Sequence, residues 1–157
     1  MIKERKDIDP KYKWDLSKIY KDEAAFNADY ALAAEKIESF KAHEATMLNG
    51  AEELYAALFD MFDIDKTVDM LWVYASLNFS VDTSDNYFQG LNTKVRNLAV
   101  SFGEATWFVS PYLLKLDREV VATYYEKCPK LETYRRFIEK TMREKENFYL
   151  AAWRALQ

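Results

Sequence analysis

Apolar residues recur every three or four positions along most of this 157-residue chain, with charged residues between them. That spacing predicts amphipathic helices, and three glycines and three prolines are too few for the closely spaced turns of a sheet. We therefore predict an all-α fold, an antiparallel helical bundle with long helices, in which residues 17–157 form one helical domain. Residues 1–16 are expected to form an irregular or extended N-terminal arm, anchored on the helices by Trp14 and Leu16.

The strongest apolar seam predicts a first helix, with Asp22 as its N-terminal cap. Asn49-Gly50 follows that helix, and both residue types tolerate the left-handed backbone of a helix end, so the sequence predicts a turn and an antiparallel second helix. Short acidic side chains that compete for backbone donors predict a break or kink in the second helix near Asp63 to Asp65. The seam residues of the first helix are Phe26, Tyr30, Ala33, Ile37 and Phe40; the second carries Leu54, Leu58, Met61, Phe62, Val68, Leu71, Trp72, Tyr74, Ala75 and Leu77.

Capping residues and prolines mark the later helices. The cluster Asp82-Thr83-Ser84-Asp85 predicts the start of a third helix of about 24 residues, with the first three side chains bonding its free backbone donors. Ser110-Pro111 predicts its end or a short further turn. Asp117 predicts the cap of a short helix that Cys128-Pro129 ends, and a last helical tract is expected from about Leu131.

Charge and composition exclude several classes of protein. The net charge of −4 is spread over the chain without a basic stripe, which argues against nucleic acid as a partner. No stretch approaches the roughly 20 apolar residues of a membrane span, so no membrane partner is expected. The charged opening residues do not resemble a secretory signal, and the single Cys128 cannot form an internal disulfide. These features predict a cytoplasmic protein.

The chain lacks the residues of the common catalytic and metal sites. A zincin site needs two histidines one helical turn apart, whereas this sequence has one, in His43-Glu44-Ala45-Thr46-Met47. A di-iron site in a helical bundle needs a glutamate three residues before a histidine, but the residue three positions before His43 is Phe40. A calcium loop that began at Asp82 would have Tyr87 and Thr93 where glycine and glutamate are needed. We predict no catalytic, cofactor-binding or metal-binding residue in this chain, and expect His43 at the surface near a helix end.

Several segments resemble one enzyme family. Trp14-Asp15-Leu16-Ser17-Lys18-Ile19-Tyr20 resembles the W-(D/N)-L-x-x-I-Y opening segment of the oligoendopeptidase F family, zinc metallopeptidases related to thimet oligopeptidase. Tyr74-Ala75-Ser76-Leu77 and Asp82-Thr83-Ser84-Asp85 are similar to the family's Y-A-x-L and D-T-x-(D/N) stretch. Leu131-Glu132-Thr133-Tyr134 resembles its L-x-x-Y segment. The matching segments occur in the family's order between about residues 10 and 142.

The resemblance implies the N-terminal, non-catalytic domain of a zinc metalloendopeptidase that acts on short peptides. In the family this region forms one wall of the substrate cleft, and the H-E-x-x-H helix lies several hundred residues further on. Zinc is accordingly expected in the parent enzyme, with its catalytic domain and oligopeptide substrates as partners. The alternative is a stand-alone helical interaction or dimerisation module without enzymatic activity.

Ten Phe, eleven Tyr and four Trp make aromatic rings the remaining conspicuous feature. Most lie at helical spacing among aliphatic residues and are expected in the core, while a minority could contact a peptide or a partner protein. The apolar C-terminal tail is expected to pack on this domain, on a second copy in a homodimer, or on the catalytic part of the parent enzyme. The candidate cleft or interface residues are Tyr74, Tyr87, Trp107, Tyr112 and Trp153; the tail residues are Phe148, Leu150, Trp153 and Leu156.

Overall fold

The structure, a computed structural model, describes residues 8–12, 14–81 and 83–144, and every regular element in these ranges is helical. The predicted all-α helical bundle is therefore confirmed for the described residues. The α-helices are α1 (Glu23–Phe40), α2 (Ala51–Val81), α3 (Asn86–Thr106), α4 (Val109–Leu113), α5 (Arg118–Lys127) and α6, whose described part covers 135–144. Short 3₁₀ helices lie at Pro10–Tyr12, Leu16–Lys18, Lys41–Ala45 and Pro129–Tyr134. No helix in the described ranges has the length and apolar character needed to cross a bilayer.

Aspartates cap two of the long helices. The Asp22 carboxylate accepts a hydrogen bond from the backbone N–H of Ala25 at 2.8 Å, as the sequence predicted for α1. At the start of α3 the Asp85 carboxylate accepts a hydrogen bond from the N–H of Tyr87 at 2.8 Å, and Asp82 of the predicted cluster lies outside the described residues. Because α3 begins at Asn86, the residue directly before it is the one placed to bond its first donors. Asp117 holds the cap position of α5, but its side chain makes no capping hydrogen bond.

Two predictions about α2 are wrong. The helix runs without interruption from Ala51 to Val81, so the expected break near Asp63 to Asp65 does not occur. Gly50 does not take a left-handed backbone. It stands directly before α2, and its carbonyl accepts the N–H of Leu54 at 3.1 Å, which is the first bond of the helix. The glycine therefore opens the second helix, a position where glycine is tolerated.

The described residues form two compact units. The first combines the chain through Ile37 with Ile64–Phe102, and the second combines Glu38–Asp63 with the described residues from Gly103 onward. Each has its own buried core, and the predicted seams supply most of both. Core residues of the first unit are Phe26, Ala33, Ile37, Ile64, Val68, Leu71, Ala75, Leu91, Val95 and Leu98; those of the second are Phe40, Met47, Leu54, Ala57, Leu58, Ala105, Phe108, Leu113, Val121, Leu131 and Ile138.

The N-terminal segment is attached through a different residue from the one expected. Trp14 is 80% exposed, so its predicted anchoring role is wrong, and Leu16 is only half-buried. Tyr20 is buried instead, with its ring edge-on to Phe26 at 5.5 Å and to Tyr74 at 5.3 Å. Trp14 lies between two short 3₁₀ helices among exposed residues, whereas Tyr20 lies three residues before the start of α1 and contacts rings of α1 and α2.

Candidate functional site

Tyr74 and Tyr87 lie close together in the first unit. Tyr74 is half-buried, and its ring contacts Tyr20 and, at 5.5 Å, Phe26, so most of its surface is used in packing. Tyr87 is 47% exposed and edge-on to Phe88 at 5.2 Å. Partial burial raises the pKa of Tyr87, followed by the charge of Glu23 and a hydrogen bond to that carboxylate. Of this pair, Tyr87 is the residue with surface to offer a ligand.

Trp107 and Tyr112 form an exposed aromatic patch in the second unit. Trp107 is 58% exposed, and its ring centroid lies 6.5 Å from that of Tyr112. The buried ring of Phe108 contacts both, at 6.3 Å and 5.4 Å. The ammonium of Lys115 lies 4.2 Å from the centroid of the Tyr112 ring. The patch can therefore contact apolar side chains through its rings and a carboxylate through Lys115.

The five predicted residues are divided between the two units and the C-terminal tail. Tyr74 and Tyr87 belong to the first unit, and Trp107 and Tyr112 belong to the second. Trp153 and the rest of the apolar tail lie outside the described residues, so the predicted dimer through that tail stays a prediction.

The single histidine is part of a packed pair. The Nε2 atom of His43 lies 2.7 Å from the Asp60 carboxylate, and the His43 side chain is only 19% exposed. Its ring also lies 5.2 Å from that of Phe40. His43 lies just after the end of α1, as expected, but it is only partly exposed, because the Lys41–Ala45 turn places its ring against Asp60 of α2. In the described parts of the chain, no three His, Cys, Asp or Glu side chains are gathered in a way that could hold a metal ion.

A cleft of about 470 Å³ lies in the second unit, lined by residues of α5, of the Pro129–Tyr134 turn and of α6. At its side is Tyr125, 8% exposed, whose hydroxyl has no hydrogen-bond partner. The Arg135 guanidinium lies 4.0 Å from the centroid of the Tyr125 ring. It donates to the Glu132 carboxylate at 2.5 and 2.7 Å and to Glu139 at 3.1 Å. The other lining residues are Arg118, Val121, Ala122, Glu126 and Met142.

The charged side chains along this cleft shift one another's pKa values and that of Tyr125. The hydrogen bond from Arg135 lowers the pKa of Glu132, and the bonds to Glu132 and then Glu139 raise the pKa of Arg135. Burial raises the pKa of Tyr125, while nearby Arg135 lowers it and Glu139 and Glu132 raise it further. Sequence reasoning singled out neither Tyr125 nor the cleft as a candidate site. The spacing of Glu132, Arg135 and Glu139 predicts the ion pairs, but nothing in the sequence signals an unpaired hydroxyl beside them.

The chain is similar in sequence to known proteins named oligoendopeptidase F. Over 146 residues, 92% of its length, the chain is 30% identical to the plasmid form of oligoendopeptidase F from Lactococcus lactis subsp. cremoris. This chain is a homologue of the oligoendopeptidase F proteins. It spans about a quarter of the length of that relative, 24%. No family model matches the chain.

Solved structures extend the oligoendopeptidase F relationship to the fold. The crystal structure of oligoendopeptidase-F from Enterococcus faecium is 25% identical with a TM-score of 0.71, over 76% of this chain and 24% of that one. A crystal structure of a Chlamydophila abortus protein assigned as a peptidase is 26% identical with a TM-score of 0.76, over 99% of this chain and 28% of that one. The resemblance expected from the sequence motifs is therefore confirmed.

Proposed function

We propose that this chain is the N-terminal, non-catalytic domain of an oligoendopeptidase F-type zinc metalloendopeptidase, and that it forms one wall of the cleft that receives short peptides. The proposal rests on the unequal coverage of the two aligned proteins. Nearly all of this chain aligns with the Lactococcus relative, but it accounts for only 24% of that protein. A peptidase of that length has three quarters of its sequence left for the catalytic residues.

The residues of this chain do not fit zinc. The whole sequence contains one histidine, whereas the H-E-x-x-H arrangement needs two imidazoles on one helical face. His43 also has its Nε2 atom bonded to Asp60, so it is occupied by a structural contact. Under the proposal, zinc and the residues that use it belong to the remainder of the parent enzyme.

The contribution of this domain is to hold and select peptides. The exposed rings of Trp107 and Tyr87 and the partly exposed ring of Tyr112 are suited to apolar peptide side chains. A wall of this kind raises the rate of peptide hydrolysis by positioning the peptide, and it excludes folded proteins from the cleft by their size. We place the protein in the cytoplasm as part of the same proposal, because its single Cys128 cannot form an internal disulfide.

A second candidate is a stand-alone helical module that binds a partner protein, or a second copy through the C-terminal tail, and cleaves nothing. The exposure of Trp107 beside Tyr112 favours this alternative, because tryptophan and tyrosine are enriched at the centres of protein interfaces. Under this alternative the chain would have no effect on peptide hydrolysis by a relative.

Deleting and replacing the aligned region of the Lactococcus enzyme distinguishes the two candidate functions. The aligned quarter of that protein is deleted in one variant and replaced by this chain in another, and hydrolysis of peptides of increasing length is measured. We expect deletion to abolish hydrolysis or remove its length limit, and replacement to restore both. Unchanged hydrolysis and length limit after deletion would overturn the proposal. In the replacement variant, peptide hydrolysis is also measured with Trp107→Ala, which removes the exposed ring of the patch. The matched control is Val120→Ala, because Val120 is an exposed apolar residue outside the patch.

A further inference from the structure

We propose that the cleft beside Tyr125 binds the protonated primary amine of a short peptide, presented by a lysine side chain or by the peptide's amino terminus. The choice of a peptide as the source of the amine rests on the proposed function. The choice of an amine rests on the side chains that line the cleft.

The first argument is the unpaired hydroxyl of Tyr125. The side chain is more than nine-tenths buried, and a buried hydroxyl without a partner destabilises the protein until something bonds it. Tyr125 itself lines the cleft together with Glu132, Arg135 and Glu139, and the Arg135 guanidinium lies 4.0 Å from the centroid of the Tyr125 ring. An ammonium group has three donors and can give one of them to the tyrosine oxygen.

The second argument is that the cleft already holds a cation of the protein's own. The guanidinium of Arg135 is bonded to Glu132 and Glu139 and covers the face of Tyr125 at 4.0 Å. Two carboxylates and an aromatic face are the groups that bind organic cations. The side chains of this ion-pair network are about half exposed, so the two carboxylates can be reached from solvent by a second cation.

The third argument is the balance of charge. Three carboxylates and two guanidinium groups line the cleft, which leaves it net negative. Glu126 has no ion-pair partner among the described residues, whereas Arg118 has interactions of its own. Glu126 is therefore the carboxylate available to an incoming amine. The apolar side chains of Val121, Ala122 and Met142 can cover the carbon chain of the ligand.

Binding of tripeptides to the 157-residue chain tests this inference by calorimetry and by chemical-shift changes. The parent probe is Ala-Lys-Ala with a free amino terminus and an amidated carboxyl terminus. One derivative is acetylated at its amino terminus, a second has norleucine in place of lysine, and a third has both changes. We expect the doubly changed peptide to bind at least about tenfold more weakly than the parent, since it has lost the charge-assisted hydrogen bonds. The singly changed peptides show which source supplies the amine.

Two variants locate the binding. Glu126→Gln should weaken the parent peptide about fivefold or more, and Tyr125→Phe should weaken it while leaving the fold intact. Glu119→Gln is the matched control, since Glu119 is exposed on the same helix and does not line the cleft. Circular dichroism confirms that each variant is folded.

Equal binding of the parent and doubly changed peptides, absence of binding at millimolar peptide, or equal effects of Glu126→Gln and Glu119→Gln would each overturn the inference. The outcome is independent of the deletion and replacement experiment, which measures hydrolysis. If the chain did not bind the amine but restored hydrolysis in the replacement variant, only this inference would be overturned and the proposed function would stand.

Discussion

The Tyr20 hydroxyl donates a hydrogen bond of 3.0 Å to the carboxylate of Asp29. The bond ties the last residue of the opening motif to α1, while the Tyr20 ring packs edge-on against Phe26 and Tyr74. Burial raises the pKa of Tyr20, and the bond to Asp29 and that residue's charge raise it further, so the hydroxyl stays protonated and able to donate. Tyr20 therefore attaches the N-terminal segment to α1 and α2 through both packing and a polar contact.

Removing the hydroxyl alone should weaken this attachment. Tyr20→Phe keeps the ring contacts and loses the bond to Asp29, so we expect the free energy of unfolding to fall by about 1 to 2 kcal/mol. Urea denaturation followed by tryptophan fluorescence measures the change. Tyr12→Phe is the matched control, because Tyr12 is 75% exposed and its substitution should leave stability unchanged. An equal effect of both variants would show that the Tyr20 bond contributes nothing.

Trp14 should be dispensable for the stability of this chain. Its side chain is 80% exposed, so we expect Trp14→Ala to change the free energy of unfolding by less than about 0.5 kcal/mol. A buried anchor would give a loss of about 3 to 5 kcal/mol. The same urea titration, read by circular dichroism because a tryptophan is removed, decides between these values. A loss in the larger range would place Trp14 in a packed environment.

Asp65 should make stability depend on pH. Partial burial on α2 raises its pKa, and the charge of Asp69 one turn later raises it further. The folded state therefore binds this proton more readily than the unfolded chain. Ionisation of Asp65 at neutral pH costs stability, and the cost disappears as pH falls through the raised, folded-state pKa.

Asp65→Asn is accordingly expected to raise the free energy of unfolding at neutral pH. The gain should be a few tenths of a kcal/mol, since solvent screens a half-buried site, and it should fade on acidification. Thermal melts across the acid-to-neutral range follow the difference. Asp69→Asn is the companion variant, which removes the repulsion but not the burial of Asp65 and should give a smaller gain. A loss of stability at neutral pH would contradict this account.

The contact between His43 and Asp60 should be measurable as a coupling energy. The two side chains are 2.7 Å apart and join the Lys41–Ala45 turn to α2. In a double-mutant cycle with His43→Ala and Asp60→Ala, we expect a coupling of about 0.5 to 1.5 kcal/mol at neutral pH. Additive effects of the two substitutions would show that the close approach has no energetic consequence.

Helix positions and core residues were predictable because they depend on spacing alone. The seam of α1 is buried at Phe26, Ala33, Ile37 and Phe40, and Asp22 caps the helix as its residue type suggested. The break expected in α2 did not occur, because a local preference of short acidic side chains is too weak to interrupt a helix packed on both sides of that point. Propensity yields to tertiary packing in such cases.

The candidate site was less predictable because it depends on which rings remain uncovered. Trp14 and Tyr20 belong to the same motif, yet one is exposed and the other buried, and their spacing does not distinguish them. Trp107 was correctly expected at the surface, whereas Tyr74 is largely used in packing. The cleft beside Tyr125 arises where α5, a 3₁₀ turn and α6 meet, and such tertiary placement leaves no periodic signal in the sequence.

Under the proposed function, this chain contributes to a peptidase without holding its active site. Hydrolysis of an internally quenched oligopeptide by the purified 157-residue chain, with added zinc and with or without a chelator, tests it most directly. The account predicts no hydrolysis above the buffer rate under either condition, because one histidine cannot complete the zinc site. Turnover that the chelator abolishes and zinc restores would contradict it.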